Sequence, residues 1–115
     1  MKTIRQLLDA KLTEAQWQRT LIDLLRSYGY ERIAHFRPAR TSKGWRTAGS
    51  EDAQGFPDLV AVRADPPRVI FLEVKRQKGA IRPAQREWYD VLKAAGAEVY
   101  VVRPSDYEKL LEALK

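Results

Sequence analysis

Two apolar runs, Leu59-Val60-Ala61-Val62 and Val69-Ile70-Phe71-Leu72, sit on either side of Ala64-Asp65-Pro66-Pro67. Consecutive prolines neither donate to a ladder nor continue a helix, so the chain must turn between the runs. The length of each run and its β-branched or aromatic content predict a strand. If Arg63 and Arg68 flank the turn as opposite residues, an unbulged antiparallel register carries through to Asp58 opposite Glu73. Directly opposed side chains have Cβ atoms roughly 5 Å apart, a separation that one hard cation bridges. Alternation along the strand puts Lys75 on the same sheet face as Glu73. Each of these charges alone reads as a solvated strand end. Together they converge beside a buried sheet, where unpaired charge is costly unless something uses it.

Two carboxylates and a lysine suit phosphodiester hydrolysis. That reaction must bring water to an anionic phosphorus and stabilise charge on the non-bridging and leaving oxygens, and Mg²⁺ or Mn²⁺ does both. Such ions prefer oxygen, and Mg²⁺ typically takes only one or two protein carboxylates. Asp58 and Glu73 are the candidates, with the carbonyl of Val74 as a third ligand. Lys75 either orients or deprotonates the attacking water, or acts as a fixed positive charge in the transition state. Both roles are open at this level.

The rest of the chain narrows the classes. At 115 residues it is expected to form one domain. The absence of cysteine excludes disulfides, thiolate zinc sites and cysteine nucleophiles, and a single histidine, His35, excludes a His-rich metal site. No apolar stretch approaches the ~20 residues of a membrane span, and the N-terminus carries no signal-peptide core, so a soluble, intracellular protein is expected. A formal net charge of +6 favours a polyanionic partner. Arg26, Arg32, Arg37, Arg40, Lys43 and Arg46 face only Glu31 in their stretch, and Lys75, Arg76, Lys78 and Arg82 form a second basic cluster. Both suit backbone phosphates, which give salt-sensitive affinity without sequence preference. Ordinary solvated surface is the alternative for each residue singly.

Along the chain, Ile4, Leu7, Leu8 and Leu12 predict a short amphipathic arm over residues 1–12, packed on the domain or on a partner subunit. Residues 13–115 form the main domain. Thr13 and Gln16 read as a capping box. Trp17, Leu21, Leu24, Leu25 and Tyr28 then mark the buried stripe of a helix that Gly29 ends. Glu14 and Gln18 flank that stripe. Glu14 either reaches a site on the sheet or simply complements the helix dipole. Residues 33–37 predict a first strand with His35 in its middle, and 38–55 a long loop. That loop carries Arg40, Lys43, Trp45 and Arg46, suited to phosphates and to base stacking, although Trp45 could equally fold back onto the core. After a turn at Gln77-Lys78-Gly79, Pro83 starts a helix with Ala84, Trp88, Val91, Leu92 and Ala95 as its apolar face, and Gln85 in its first turn. Glu98-Val99-Tyr100-Val101-Val102 is the last strand. Ser105 and Glu108 read as a capping box for a closing helix.

The ordered set Glu14 and Gln18, Gly55-Phe56-Pro57-Asp58, Glu73-Val74-Lys75, and Pro83-Ala84-Gln85 followed by Trp88 resembles the VRR-NUC branch of the PD-(D/E)XK nuclease superfamily. The resemblance implies a restriction-endonuclease-like α/β domain of order αβββαβα, with a central mixed sheet flanked by helices. It implies metal binding by Asp58 and Glu73, catalysis by Lys75, and assistance to metal or water from Glu14. It further implies that Gln85 belongs to the site, that Gln18 supports it, and that His35 contacts phosphate. Arg82 departs from the Ser or Thr that relatives often carry before the proline, losing a cap and adding charge near the substrate. Small members of this kind resemble bacterial and phage Holliday-junction resolvases. On that likeness the chain is expected to be a cytoplasmic, Mg²⁺- or Mn²⁺-dependent homodimer acting on branched DNA. A flap or single-strand nuclease and a non-catalytic binding module are the alternatives.

Overall fold

The computed structural model describes residues 3, 11–36, 39–41, 44–46 and 51–115. Helix α1 (Glu14–Ser27) is followed by β1 (Arg32–His35), β2 (Ala39–Thr41) and β3 (Gly44–Arg46), and by a 3-10 turn (Glu51–Ala53). Then come β4 (Leu59–Arg63), β5 (Arg68–Val74), α2 (Pro83–Ala94) and β6 (Glu98–Val102). A second 3-10 turn (Pro104–Asp106) and α3 (Tyr107–Leu114) close the chain. The main sheet has the order β1-β4-β5-β6 and is mixed: β1, β4 and β5 are antiparallel, whereas β6 runs parallel to β5. The expected order of helix, three strands, helix, strand and helix therefore holds for this sheet. The long loop differs from expectation, because it contains the antiparallel pair β2-β3.

The register of β4 and β5 is the one the double-proline turn dictates, with Arg63 opposite Arg68 and Leu59 opposite Leu72. It is unbulged over these residues. Alternation then divides β5 between two jobs. Ile70, Leu72 and Val74 point into a core shared with Trp17, Leu21 and Leu25 of α1 and Leu110 and Leu114 of α3. Phe71, Glu73 and Lys75 point to the opposite face. There Phe56 packs edge-on against Phe36, Phe71 and Trp88, with centroids 5.5, 6.1 and 4.9 Å away. This second, aromatic layer holds α2 over the sheet.

Local signals explain most boundaries. The capping box of α1 is formed reciprocally, with Gln16 N–H donating to Thr13 Oγ1 and Thr13 N–H to Gln16 Oε1, worth about 1 kcal/mol. Gly29 ends the helix at φ +88°. Trp17 anchors α1 to the sheet edge by donating from Nε1 to the Val102 carbonyl at 3.0 Å. At the far end of the sheet, Arg68 donates from Nε to Glu98 Oε1 at 2.8 Å and from its terminal nitrogen to the Ala113 carbonyl, tying β5, β6 and α3 together.

Three local readings need correction. β1 ends at His35, which lies at the strand terminus rather than mid-strand, since Phe36 turns to join the aromatic layer. Val91 is 59 % exposed and Ala95 is also exposed. The line Ala84, Trp88 and Leu92 lies against the sheet, and Val91 projects off to the side. No Ser105–Glu108 box forms. Asp106 instead accepts from the Arg103 N–H, while Ser105 exchanges hydrogen bonds with Gln77. The arm expected over residues 1–12 lies outside the described residues apart from Thr3, Lys11 and Leu12, and Leu12 packs against the core. Among the described residues no helix is long and apolar enough to cross a membrane.

Candidate active site

Pro57 is buried just before β4 and fixes the approach of Asp58 to the sheet. The Asp58 carboxylate accepts from the Val74 N–H through Oδ2 at 2.8 Å. It is therefore locked to the end of β5 beside Glu73, at the position the register predicts. Glu73 is 2 % exposed. Its Oε1 accepts from Gln85 Nε2 at 3.0 Å, whereas its Oε2 is buried with no hydrogen-bond partner among the described residues.

Burial pushes the Glu73 carboxyl up to about 9, and the Asp58 carboxyl, within hydrogen-bonding reach, pushes the same way; Lys75 opposes. Burial and the neighbouring acid outweigh the one ammonium beside them. Lys75 is 6 % exposed and continues β5, its N–H donating to the Val102 carbonyl at 3.0 Å. Its ammonium lies near enough to both acids to lower Glu73 and Glu14.

Glu14 stands exposed in the first turn of α1. Its carboxyl is raised by partial desolvation and then by Asp58, while Lys75, Arg82 and Arg76 pull it down. The structure thus brings Glu14, Asp58, Glu73, Lys75 and Gln85 to one end of the sheet, with the exposed Arg76 and Arg82 at the mouth. Lys78 is exposed in the adjoining turn. Gln18 is half-buried one turn along α1, and its side chain makes no hydrogen bond among the described residues. His35 is exposed at the end of β1, opposite Leu59. Arg37 and Lys43 lie outside the described residues. Arg40 pairs with Trp45 across β2-β3, and Arg46 with Ala39, as backbone positions.

Gly55 opens the Gly-Phe-Pro-Asp motif because no side chain fits there. Its φ is +82°, and a Cβ there would lie 2.4 Å from the Ala84 carbonyl carbon and 2.6 Å from the Gln85 nitrogen. Only glycine lets the chain run this close under the first turn of α2. Trp88 clamps the same approach by donating from Nε1 to the Asp52 carbonyl at 2.8 Å. Gln85 then holds both sides, accepting the Arg82 N–H through Oε1 at 2.9 Å while donating to Glu73. Gln85 thus makes its own half of a capping box, and Arg82, which has no acceptor, leaves the other half unmade.

The donor set fits a hard divalent ion: all oxygen, two adjacent acids, and one buried oxygen without a hydrogen-bond partner among the described residues. Among the described residues no three His, Cys, Asp or Glu side chains form a metal-binding group. Two carboxylates would hold such an ion, with water, backbone or substrate oxygens completing its shell.

A mixed α/β sheet carrying Gly-Phe-Pro-Asp before one strand, Glu-Val-Lys at the end of the next and Gln-x-x-Trp on the following helix defines a nuclease-type domain. The VRR-NUC domain model matches residues 4–106, nearly the whole chain, and the chain belongs to that family. Its members are nucleases, typically dependent on divalent metals, with DNA as substrate. No match is found among curated proteins or among solved structures.

Proposed function

We propose that the chain is a Mg²⁺- or Mn²⁺-dependent endonuclease that cuts branched DNA, acting on four-way junctions as a homodimer. Asp58 and Glu73 would hold the metal, with the Val74 carbonyl as a further ligand and Glu14 reaching the ion through water. The observation that carries this reading is the Glu73 carboxyl, sealed beside Asp58 with one oxygen held by Gln85 and the other without a hydrogen-bond partner among the described residues. A bound divalent ion supplies Lewis acidity at the phosphate and a water of lowered pKa. Lys75 holds a positive charge on the same face, orienting the attacking water and countering charge at phosphorus. Glu14, exposed at the rim with its carboxyl raised by burial and Asp58, is suited to proton exchange with solvent. Arg76, Lys78 and Arg82 take up phosphates flanking the scissile bond, and His35, Arg37, Arg40, Lys43, Trp45 and Arg46 extend that surface.

The net charge of +6 supports a polyanionic partner. Val62 and Val69, opposite each other and 38 % and 47 % exposed, are the contact we assign to a second copy. The test is cleavage of four-way, flap, single-stranded and linear duplex DNA with Mg²⁺, Mn²⁺ or EDTA, alongside Asp58→Asn and Lys75→Met. Paired nicks in the junction, lost in EDTA and in both variants, are expected. Equal cutting of all four substrates overturns the junction assignment, and a preference for flap or single strand replaces it. Binding without any cleavage by the wild type would favour a non-catalytic module. A monomeric mass in light scattering, with and without junction, overturns the dimer.

A further inference from the structure

Helix α2 leaves the site at Gln85 and carries charge asymmetrically around its axis. At 3.6 residues per turn, Arg82, Arg86, Tyr89 and Lys93 fall within an arc of roughly 60°, on the flank next to Gln85. Glu87 and the exposed Val91 lie on the other flank, with Asp90 between. Tyr89 organises this stripe. The Arg86 guanidinium stands over its ring at 5.8 Å from the centroid, and the Lys93 ammonium lies 5.5 Å from the centroid and donates to the Tyr89 hydroxyl at 3.3 Å. One half-buried ring thus fixes two exposed cations either side of itself.

Helix stability does not account for the stripe. Lys93 in the last turn complements the helix dipole, but Arg82 at the N-cap opposes it and adds no side-chain cap. Arg86 is paired with Asp90 at 3.2 Å, yet these side chains are 63 % and 57 % exposed. Such a pair contributes little and is readily exchanged for a phosphate.

We infer that Arg86 and Lys93, held by Tyr89, form with Arg82 a phosphate track along α2 that carries one DNA strand away from the scissile bond. This rests on the nuclease reading and extends it to contacts on the strand beyond the site. From Arg82 to Lys93 the stripe covers about 16 Å of helix, or about five nucleotides of one strand's rise. Guanidinium and ammonium contacts of this kind read no bases, so the track adds affinity and not sequence preference. Tyr89 is a positioning residue: it lowers the entropy lost when the two cations engage.

The experiment compares wild type, Arg86→Ala/Lys93→Ala, Tyr89→Leu and Asp90→Asn with a charge-matched control, Arg19→Ala/Lys109→Ala. Binding to a fluorescent four-way junction in Ca²⁺ is measured across a salt series, with cleavage in Mg²⁺ and thermal unfolding in parallel. For the Arg86/Lys93 pair the salt slope is expected to fall by about 1.8 units. KM should rise about tenfold with kcat unchanged. Tyr89→Leu weakens binding at low salt while keeping most of the slope, and Asp90→Asn tightens binding by freeing Arg86. The control changes the slope far less. Equal slopes for the Arg86/Lys93 and control pairs, or no gain from Asp90→Asn, overturn the track. A wild type that binds DNA but cuts none defeats the nuclease reading and leaves the slope comparison decisive. A wild type that binds no DNA defeats both.

Discussion

Gln85 donates from Nε2 to Glu73 Oε1 at 3.0 Å, joining the first turn of α2 to the end of β5. The same amide accepts the Arg82 N–H, so its orientation is fixed from behind. Gln85→Ala would leave an acceptor on Glu73 and a donor at the helix start unmatched, costing about 1–3 kcal/mol of stability. Activity should fall roughly 10- to 100-fold, as for other groups that orient a metal ligand. Gln85→Glu should be worse above neutral pH, because it puts a third carboxylate against Glu73. Steady-state cleavage with chemical denaturation checks both, and an unchanged kcat in Gln85→Ala would remove Gln85 from the site.

Gly55→Ala should be among the most damaging single-methyl additions in the chain. The added carbon would meet the backbone of Ala84 and Gln85 at 2.4–2.6 Å while the residue is held at φ +82°. A loss on the order of 3 kcal/mol is expected, with activity lost even where the protein remains folded, because α2 must lift and take Gln85 with it. By contrast Gly96→Ala meets no atom within 4 Å. Its cost comes from the positive φ alone, about 1 kcal/mol. Comparable midpoints for the two variants in urea would contradict the close-packing argument.

Stability without divalent ions should decline with pH in a defined window. The Glu73 carboxyl is raised from 4.5 to about 9 in the fold, so the folded chain keeps a proton that the unfolded chain has released. That contribution is complete below about pH 4.5 and is lost as pH rises toward about 9. Glu14 is shifted the same way. Glu98 is shifted down, chiefly by its hydrogen bond to Arg68, so its contribution is present above its ordinary range and lost at more acidic pH. Thermal melts in EDTA should therefore fall through this window for wild type and flatten in Glu73→Gln. Mg²⁺ or Mn²⁺ should raise the melting temperature more at about pH 8 than at about pH 6, since the ion needs the ionised acid. An equal ion effect at both values would contradict a metal site at Glu73.

Lys75→Met and Asp58→Asn should separate chemistry from folding. Methionine fills the volume of a buried lysine stem without its charge, and asparagine can still accept the Val74 N–H that Asp58 accepts at 2.8 Å. Both should fold and bind DNA yet lose roughly 10²- to 10⁴-fold in cleavage rate. Restored cleavage at high Mn²⁺ in Asp58→Asn, but not in Lys75→Met, would mark the first as a ligand defect.

Much of this was legible because two prolines and alternation leave the β4–β5 hairpin one register, and just beyond its last pair, Leu59 with Leu72, Asp58 meets the end of β5 beside Glu73. Glycine and capping signals marked both ends of α1 for similarly local reasons. What escaped the sequence was tertiary. Nothing local says that Gly55 runs under α2, that Ser105 prefers Gln77 to its own helix, or that Val91 falls beside the sheet instead of on it. Phe56 gave no sign that it would be the hub of an aromatic layer, since an isolated aromatic in a loop has no periodicity to betray its partners. The stripe on α2 was hidden because cation and ring, one turn apart, look like any solvated helix flank.

The alternation of β5 also protects the enzyme against its own misassembly. A slip of one residue would turn Glu73 and Lys75 into the layer occupied by Trp17 and Leu25 and push Ile70, Leu72 and Val74 out. Among those apolar side chains Glu73 would lose Gln85 and both groups would lose their polar surroundings, which strongly disfavours the slipped register. Correct chemistry and correct folding are selected by one event, and a population of well-folded but miswired copies has nowhere to accumulate.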